Sequence, residues 1–81
     1  MGWSVRIESV ELDDQNMPHL VRHGVSVDEI ARVFEPASRY VIRRNKGGRA
    51  ADYCAEAFGI RVNFVYAAAT RTARPVSAWR I

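Results

Sequence analysis

Cysteine is nearly absent from this sequence, since Cys54 is the only one. A single thiol forms no internal disulfide and has no cysteine partners for a zinc site, so we expect a cytoplasmic protein with Cys54 buried in its core. No apolar run approaches the roughly 20 residues that a membrane-spanning helix requires. The opening string "MGWSVRIESVEL" alternates charged and apolar residues, unlike a signal peptide. We therefore expect a protein without a membrane partner.

Carboxylates are scarce in the second half of the chain. Residues 41–81 contain eight lysines and arginines against two aspartates and glutamates, a net charge of +6, whereas residues 1–40 carry a net charge of −3. A basic half of this kind suits a nucleic acid or an acidic protein partner. Arginines on the solvent face of a sheet also protect its edges from aggregation, so charge alone leaves both explanations open.

The length and the hydrophobic pattern predict one α+β domain spanning residues 1–81. A chain of 81 residues supports a single core. The predicted order is β-α-α-β-β-β-β, an antiparallel sheet with two short helices packed on one face. Alternating or β-branched segments predict strands over residues 4–12, 39–45, 50–58, 60–68 and 74–81.

Two short helices follow from local signals between the first and second strands. The first is predicted over residues 15–22, with Asp13 or Asp14 accepting its free amides and Gly24 closing it in a left-handed turn. Ser26 and Glu29 form the reciprocal pattern of a capping box, which predicts the start of the second helix. Pro36 is expected to stop that helix.

The remaining strands are separated by glycine-containing turns. The string "NKGGR" at 45–49 and Gly59 both predict tight turns, because glycine adopts positive φ without steric cost. The apolar positions of helix and strands then give the expected core, which comprises Val27, Ile30, Val33, Phe34, Ile42, Val62, Phe64, Tyr66 and Val76.

His19 and His23 are spaced four residues apart and so could share one helical face and a metal ion. A metal site needs further ligands, and the sequence contains neither an "HExxH" pattern nor a glycine-rich phosphate loop after a strand. The structural explanation, two surface or cap histidines, is the simpler one. We expect no metal and no cofactor.

Taken as strings, "HLVRHGVSVDEIARVF" and "RPVSAWRI" resemble the BrnT family of type II toxin–antitoxin toxins, small ribonucleases of the wider RelE-like class. The matching segments follow the family order over about residues 10–80, and they are "ELDD" at 11–14, "RHGVS" at 22–26, "ARVFE" at 31–35, "GGRA" at 47–50 and "RPVSAWR" at 74–80.

This resemblance implies a bacterial, cytoplasmic hydrolase that cleaves RNA without a metal and is neutralised by a cognate antitoxin protein. By the family pattern, the catalytic residues are His23, Arg22, Arg49, Arg74 and Arg80. Arginine suits the stabilisation of charge on a phosphorane, and histidine suits proton transfer near neutral pH. RNA binding is expected from basic and aromatic residues of the second half, namely Arg43, Arg44, Lys46, Arg61 and Trp79.

Two positions depart from the family pattern, and they keep other functions open. Leu12 stands where the family has a tryptophan, and Trp79 replaces one of the paired arginines of the final strand. Relatives also usually continue with a basic segment beyond the position of Ile81. A non-catalytic module that binds nucleic acid or protein on the same sheet is the main alternative, and a structural homodimer paired through the last strand is another. RNA specificity, the antitoxin and the oligomeric state do not follow from the sequence.

Overall fold

The structure, a computed structural model, describes residues 6–35, 40–44 and 52–81 and confirms the predicted α+β class. Two short helices precede an antiparallel run of four strands, in the predicted order. The elements are β1 (Ser9–Val10), α1 (Met17–Leu20), a 3₁₀ turn (Val21–His23), α2 (Val27–Val33), β2 (Val41–Arg44), β3 (Asp52–Ala57), β4 (Ile60–Ala67) and β5 (Thr72–Arg80).

The sheet has the strand order β1-β5-β4-β3-β2, and it is mixed rather than wholly antiparallel. Strands β2 to β5 form the predicted meander, but β1 pairs parallel to β5, with Ser9 opposite Thr72 and Val10 opposite Ala73. β5 therefore has a neighbour on both sides over Thr72–Ala73, so the edge proposed for a homodimer is occupied there. β2 lies at the other edge of the sheet.

Within the described residues, β1 does not include residues 6–8 or 11–12 of the strand predicted over 4–12, and Pro75 supplies a physical reason at its C-terminal end. Proline has no N–H with which to continue a ladder. The Pro75 carbonyl accepts a hydrogen bond from Asn16 Nδ2 at 3.0 Å instead. Asn16, which is 6 % exposed, also donates to the Glu11 carbonyl and accepts from the Asp13 amide. One buried side chain thus ends the strand pairing and fixes the entry to α1.

The capping box and the glycine that closes the first helix are confirmed. Asp13 accepts two backbone amides as predicted, but both precede α1, whose N-cap Asn16 makes no side-chain cap hydrogen bond. Asp13 Oδ1 accepts the amides of Gln15 and Asn16 at 2.8 and 3.1 Å. The first helix is nevertheless shorter than expected, since α1 passes into the 3₁₀ turn before Gly24 ends it at φ 82°. Ser26 and Glu29 form both hydrogen bonds of the capping box that begins α2.

A two-residue turn, Phe58 and Gly59, joins β3 to β4. Both residues have positive φ, 55° and 71°, as a type I′ hairpin turn requires. Gly59 adopts this conformation without cost, whereas a phenylalanine rarely does. The predicted turn at 45–49 and Pro36 lie outside the described residues.

The core lies between the helices and one face of the sheet. Its buried members from the predicted set are Ile30, Val33, Phe34, Val62 and Phe64, while Val27, Ile42 and Tyr66 are half-buried. Val76 was predicted to be buried and is 49 % exposed, so that prediction is wrong. The ladder shifts register there, with Asn63 opposite Ser77 but Phe64 opposite Pro75. Val76 is therefore an extra residue in β5, and the alternation of faces reverses around it.

Cys54 is buried, as expected from the sequence, with 6 % of its surface exposed. It lies on the side of the sheet opposite the helices, since strand side chains alternate and its neighbours Tyr53 and Ala55 belong to the helix-side core. In the described part of the chain, no helix has the length and apolar character needed to cross a membrane.

Candidate nucleic-acid interface

The string "RHGVS" forms an exposed corner between the two helices. Arg22 and His23 are both exposed in the 3₁₀ turn, and Gly24 reverses the chain behind them in the left-handed conformation. Ser26 then caps α2. The short helix, the glycine and the cap therefore hold Arg22 and His23 on a tight turn that faces solvent.

β5 brings Arg80 to the same corner from 56 residues away in sequence. Arg80 Nη2 donates to the Gly24 carbonyl at 3.3 Å and lies 2.9 to 3.0 Å from the Glu29 carboxylate. Its side chain remains 55 % exposed. Arg80 therefore lies beside the backbone of the turn that carries Arg22 and His23, although nothing local in the sequence joins that turn to β5.

Glu29 is the residue that connects this corner to α2. One of its oxygens accepts the Ser26 amide at 3.0 Å, and the carboxylate also pairs with Arg80. The hydrogen bond from the Ser26 amide, followed by that from Arg80, lowers the pKa of Glu29 below its usual value. A negative charge on Glu29 thus holds the guanidinium of Arg80 in place.

Arg74 lies apart from the corner. It is six positions from Arg80 along β5, which in an extended strand corresponds to about 20 Å. Arg74 Nη1 donates to Glu11 at 2.8 Å and to Asp13 at 2.6 Å, and Nη2 donates to the other Asp13 oxygen at 3.2 Å. Its hydrogen bond to Asp13, and then that to Glu11, raises the pKa of Arg74, while the same bond lowers the pKa of Asp13 to about 2. Arg74 therefore ties the segment after β1 to β5.

The predicted RNA-binding residues of the strands lie on the sheet face opposite the helices. Arg61 is opposite both Glu56 on β3 and Trp79 on β5. Its Nε donates to Glu56 Oε2 at 2.6 Å, and its guanidinium carbon lies 6.0 Å from the centroid of the Trp79 ring. Arg43 is exposed on the edge strand β2. Arg61 and Trp79 thus contact each other, and Glu56 neutralises the arginine.

The side-chain positions of three predicted site residues are not described, either at the corner or on the sheet face. Lys46 and Arg49 lie outside the described residues, and for Arg44 only the backbone, in β2, is described. Their roles stay predictions. Of the expected catalytic set, Arg80 lies against the turn that carries Arg22 and His23, while Arg74 pairs with Glu11 and Asp13 elsewhere on β5.

The sequence did not single out the acidic partners of these arginines. Glu29 was identified as a capping residue, but its pairing with Arg80 depends on the position of β5 across the helices. Glu11 and Asp13 belong to the matched string "ELDD", yet alternation alone gives no indication that both meet Arg74. Across residues 6–35, 40–44 and 52–81, no group of three histidine, cysteine, aspartate or glutamate side chains is arranged to hold a metal ion.

Comparison of the chain with protein-family models, with curated proteins and with solved structures gave no match. The geometry of the corner and the chemistry of its residues therefore carry the functional argument, and the BrnT-like resemblance stays a prediction from the sequence.

Proposed function

We propose that this chain is a small ribonuclease toxin that cleaves RNA without a metal ion at the corner formed by Arg22, His23 and Arg80. The observation that carries the assignment is the hydrogen bond from Arg80 to the Gly24 carbonyl, which places a second arginine beside the backbone of the turn that carries the exposed pair Arg22 and His23. RNA is the substrate, and an acidic antitoxin covering the basic surface is the protein partner.

The reaction needs one proton acceptor, one proton donor and stabilisation of negative charge. The 2′-oxygen forms a bond to phosphorus and loses its proton, while the bond from phosphorus to the 5′-oxygen breaks and that oxygen gains a proton. Histidine performs either transfer at neutral pH, and we assign one of them to His23, with solvent water as the partner in the other. Arg22 and Arg80 stabilise the charge that develops on the phosphorane oxygens.

Arg80 retains donors for a phosphate despite its ion pair. All of its contacts within the described part of the chain use Nη2, so Nη1 and Nε have no protein partner there. The side chain is 55 % exposed, so the three N–H groups on these two nitrogens remain available to a phosphate. Glu29 and the Gly24 carbonyl thus act as an orienting support, and the opposite side of the planar guanidinium meets the substrate.

A second function, a non-catalytic module that binds RNA or protein, is favoured by the ion pairs elsewhere. Arg61 is neutralised by Glu56, and Arg74 is neutralised by Glu11 and Asp13. The described structure therefore contains fewer available cations than the sequence suggests. With so few available cations, the corner would bind RNA but would not stabilise the charge that develops during cleavage.

The deciding experiment is cleavage of a generic single-stranded RNA in the presence of a chelator. His23→Ala should lower the rate by roughly 10² to 10⁴, the usual contribution of a positioned acid or base. His19→Ala is the matched control, because His19 is also exposed but lies on α1, outside the corner. It should keep the parent rate.

Thermal unfolding of both histidine variants separates catalysis from stability. Closure of a helix end by His23 would account for at most about 1 to 2 kcal/mol and would leave the rate unchanged. Full activity in a stable His23→Ala protein would remove His23 from the site. Binding of RNA without any cleavage by the parent chain would favour the binding module.

A further inference from the structure

Phe58 is an unusual residue for its position, because the backbone there has a positive φ that phenylalanine rarely adopts. It is the first residue of the two-residue turn between β3 and β4, with φ 55°. Such turns favour asparagine, aspartate or glycine at both positions, because bulky side chains are strained at positive φ. The residue is nevertheless 60 % exposed, so burial does not compensate for the strain. A strained and exposed aromatic ring indicates a role outside the core.

The surroundings of Phe58 connect it to the corner described above. The guanidinium carbon of Arg32 lies 5.1 Å from the centroid of the ring. Phe58, Arg32, Glu29 and Ile60 line one shallow depression. Glu29 in that depression is the carboxylate that holds Arg80. Glu29 therefore links the two side chains: it lines the same depression as the Phe58 ring and pairs with Arg80, the arginine assigned to the phosphate.

We propose that the Phe58 ring is a stacking platform for a nucleobase of the RNA bound at the corner. This inference rests on the proposed function for the identity of the ligand. A base has a flat π-face and is joined to anionic phosphates, so it matches an exposed ring that has Arg32 over one face and that shares its depression with Glu29, the carboxylate that holds Arg80. Stacking on aromatic rings tolerates any base, so the platform positions a single strand without selecting its sequence.

An apolar protein segment matches the same place less well. Exposed apolar surfaces that dock proteins are contiguous, whereas Phe58 is bordered by the charged groups of Arg32 and Glu29. A nucleotide uses both features, since its base covers the ring and its phosphates meet the arginines. We therefore commit to RNA and leave a protein partner as an outcome of the test.

The test measures binding of a labelled single-stranded RNA whose 2′-oxygens are methylated, so that it cannot be cleaved. Phe58→Asn should weaken this binding by about tenfold or more, as expected for the loss of one stacked base. The same variant should raise the melting temperature, because Asn-Gly is a preferred sequence for a type I′ turn. Lower affinity in a more stable protein is a result that a purely structural role does not produce.

Two controls keep the stacking explanation specific. Phe58→Trp should bind as tightly as the parent chain, since indole also stacks on bases. An RNA of the same length with abasic nucleotides should bind the parent and Phe58→Asn equally, because only the base can contact the ring.

The inference is overturned if Phe58→Asn binds the methylated RNA as tightly as the parent, or if Phe58→Trp loses affinity to the same extent. Equal losses on normal and abasic RNA would also overturn it, as would a parent chain that binds no RNA. A Phe58→Asn protein that binds RNA normally but no longer binds a protein partner would likewise contradict the stacking platform. Cleavage is judged separately: if the parent binds in a base-dependent manner but cuts nothing, the ribonuclease assignment fails and the platform stands.

Discussion

Arg74 and Arg80 show at the scale of single residues how neighbours determine the role of a side chain. Both arginines lie on β5 and both belong to the string "RPVSAWR". Arg74 has two carboxylate partners that use both terminal nitrogens of its guanidinium. Arg80 has one carboxylate partner and uses only Nη2 within the described residues. We therefore assign Arg74 to the fold and Arg80 to the site.

The ion pair of Asp13 with Arg74 predicts a dependence of stability on pH. The hydrogen bond from Arg74 lowers the pKa of Asp13 from 3.8 to about 2 in the folded protein. A carboxyl with a depressed pKa stabilises the folded state above its ordinary pKa, and that contribution is lost as the pH falls towards the folded value. We expect the unfolding free energy from urea titrations to fall between about pH 4 and pH 2, and Asp13→Asn should remove part of that decrease.

Asp14→Asn is the matched control for this measurement, since Asp14 is exposed and has no ion pair among the described residues. It should reproduce the pH profile of the parent chain. Arg74→Met, which removes the charge and keeps much of the side-chain volume, should behave like Asp13→Asn. An Asp13→Asn profile that parallels the parent throughout the acid range would show that the pair contributes nothing to stability.

At the scale of elements, α2 supports both the core and the corner. Its inner side buries Ile30 and Val33, while Glu29 in its first turn holds Arg80. Seven residues are too few for a helix that is stable in isolation, so packing and the capping box must supply its stability. The cap is thus the local feature on which the position of Arg80 depends.

Ser26→Ala is expected to lower the unfolding free energy by about 1 kcal/mol, because the Glu29 amide loses its acceptor. Ser26→Asp should stay close to the parent, since aspartate is an equally good helix cap. Chemical denaturation of the three proteins measures the difference. Equal stability of the alanine and aspartate variants would mean that water replaces the serine oxygen without cost.

At the scale of the whole molecule, the charge asymmetry of the sequence is reduced by ion pairs. Two arginines of the basic half are neutralised by carboxylates, Arg61 by Glu56 and Arg74 by Asp13. RNA binding should still weaken with salt, because phosphate contacts release counterions. We expect Arg80→Ala to reduce the slope of log affinity against log salt by about 0.7, the value for one contact with a single strand.

Arg71→Ala is the control for the salt measurement. Arg71 is an exposed arginine that pairs with Glu8 at 2.9 Å, and it immediately precedes β5, at the end of that strand away from Arg80. Its removal should leave the slope unchanged. A slope that responds equally to both variants would indicate diffuse attraction to the surface and no phosphate site at the corner.

Sequence reasoning succeeded where the determining interactions are local. The capping box of Ser26, the left-handed Gly24 and the hairpin at Gly59 each depend on residues a few positions apart, and all are confirmed. The burial of Phe64 follows from strict alternation along β4. The prediction that Val76 is buried was wrong because alternation assumes an unbroken register, and the extra residue in β5 arises from pairing with β4.

Local patterns of the sequence suffice for the α+β class, the order of the elements and the helix end at Gly24 next to Arg22 and His23, because caps, turns and hydrophobic periods act between near neighbours. Three features depend on the three-dimensional packing: β1 runs parallel to β5, Arg80 reaches the Gly24 carbonyl, and Arg74 is held by Glu11 and Asp13. Each of these contacts joins segments more than fifty residues apart. Their partners are selected by how the helices and sheet pack around the shared core, which no local pattern encodes.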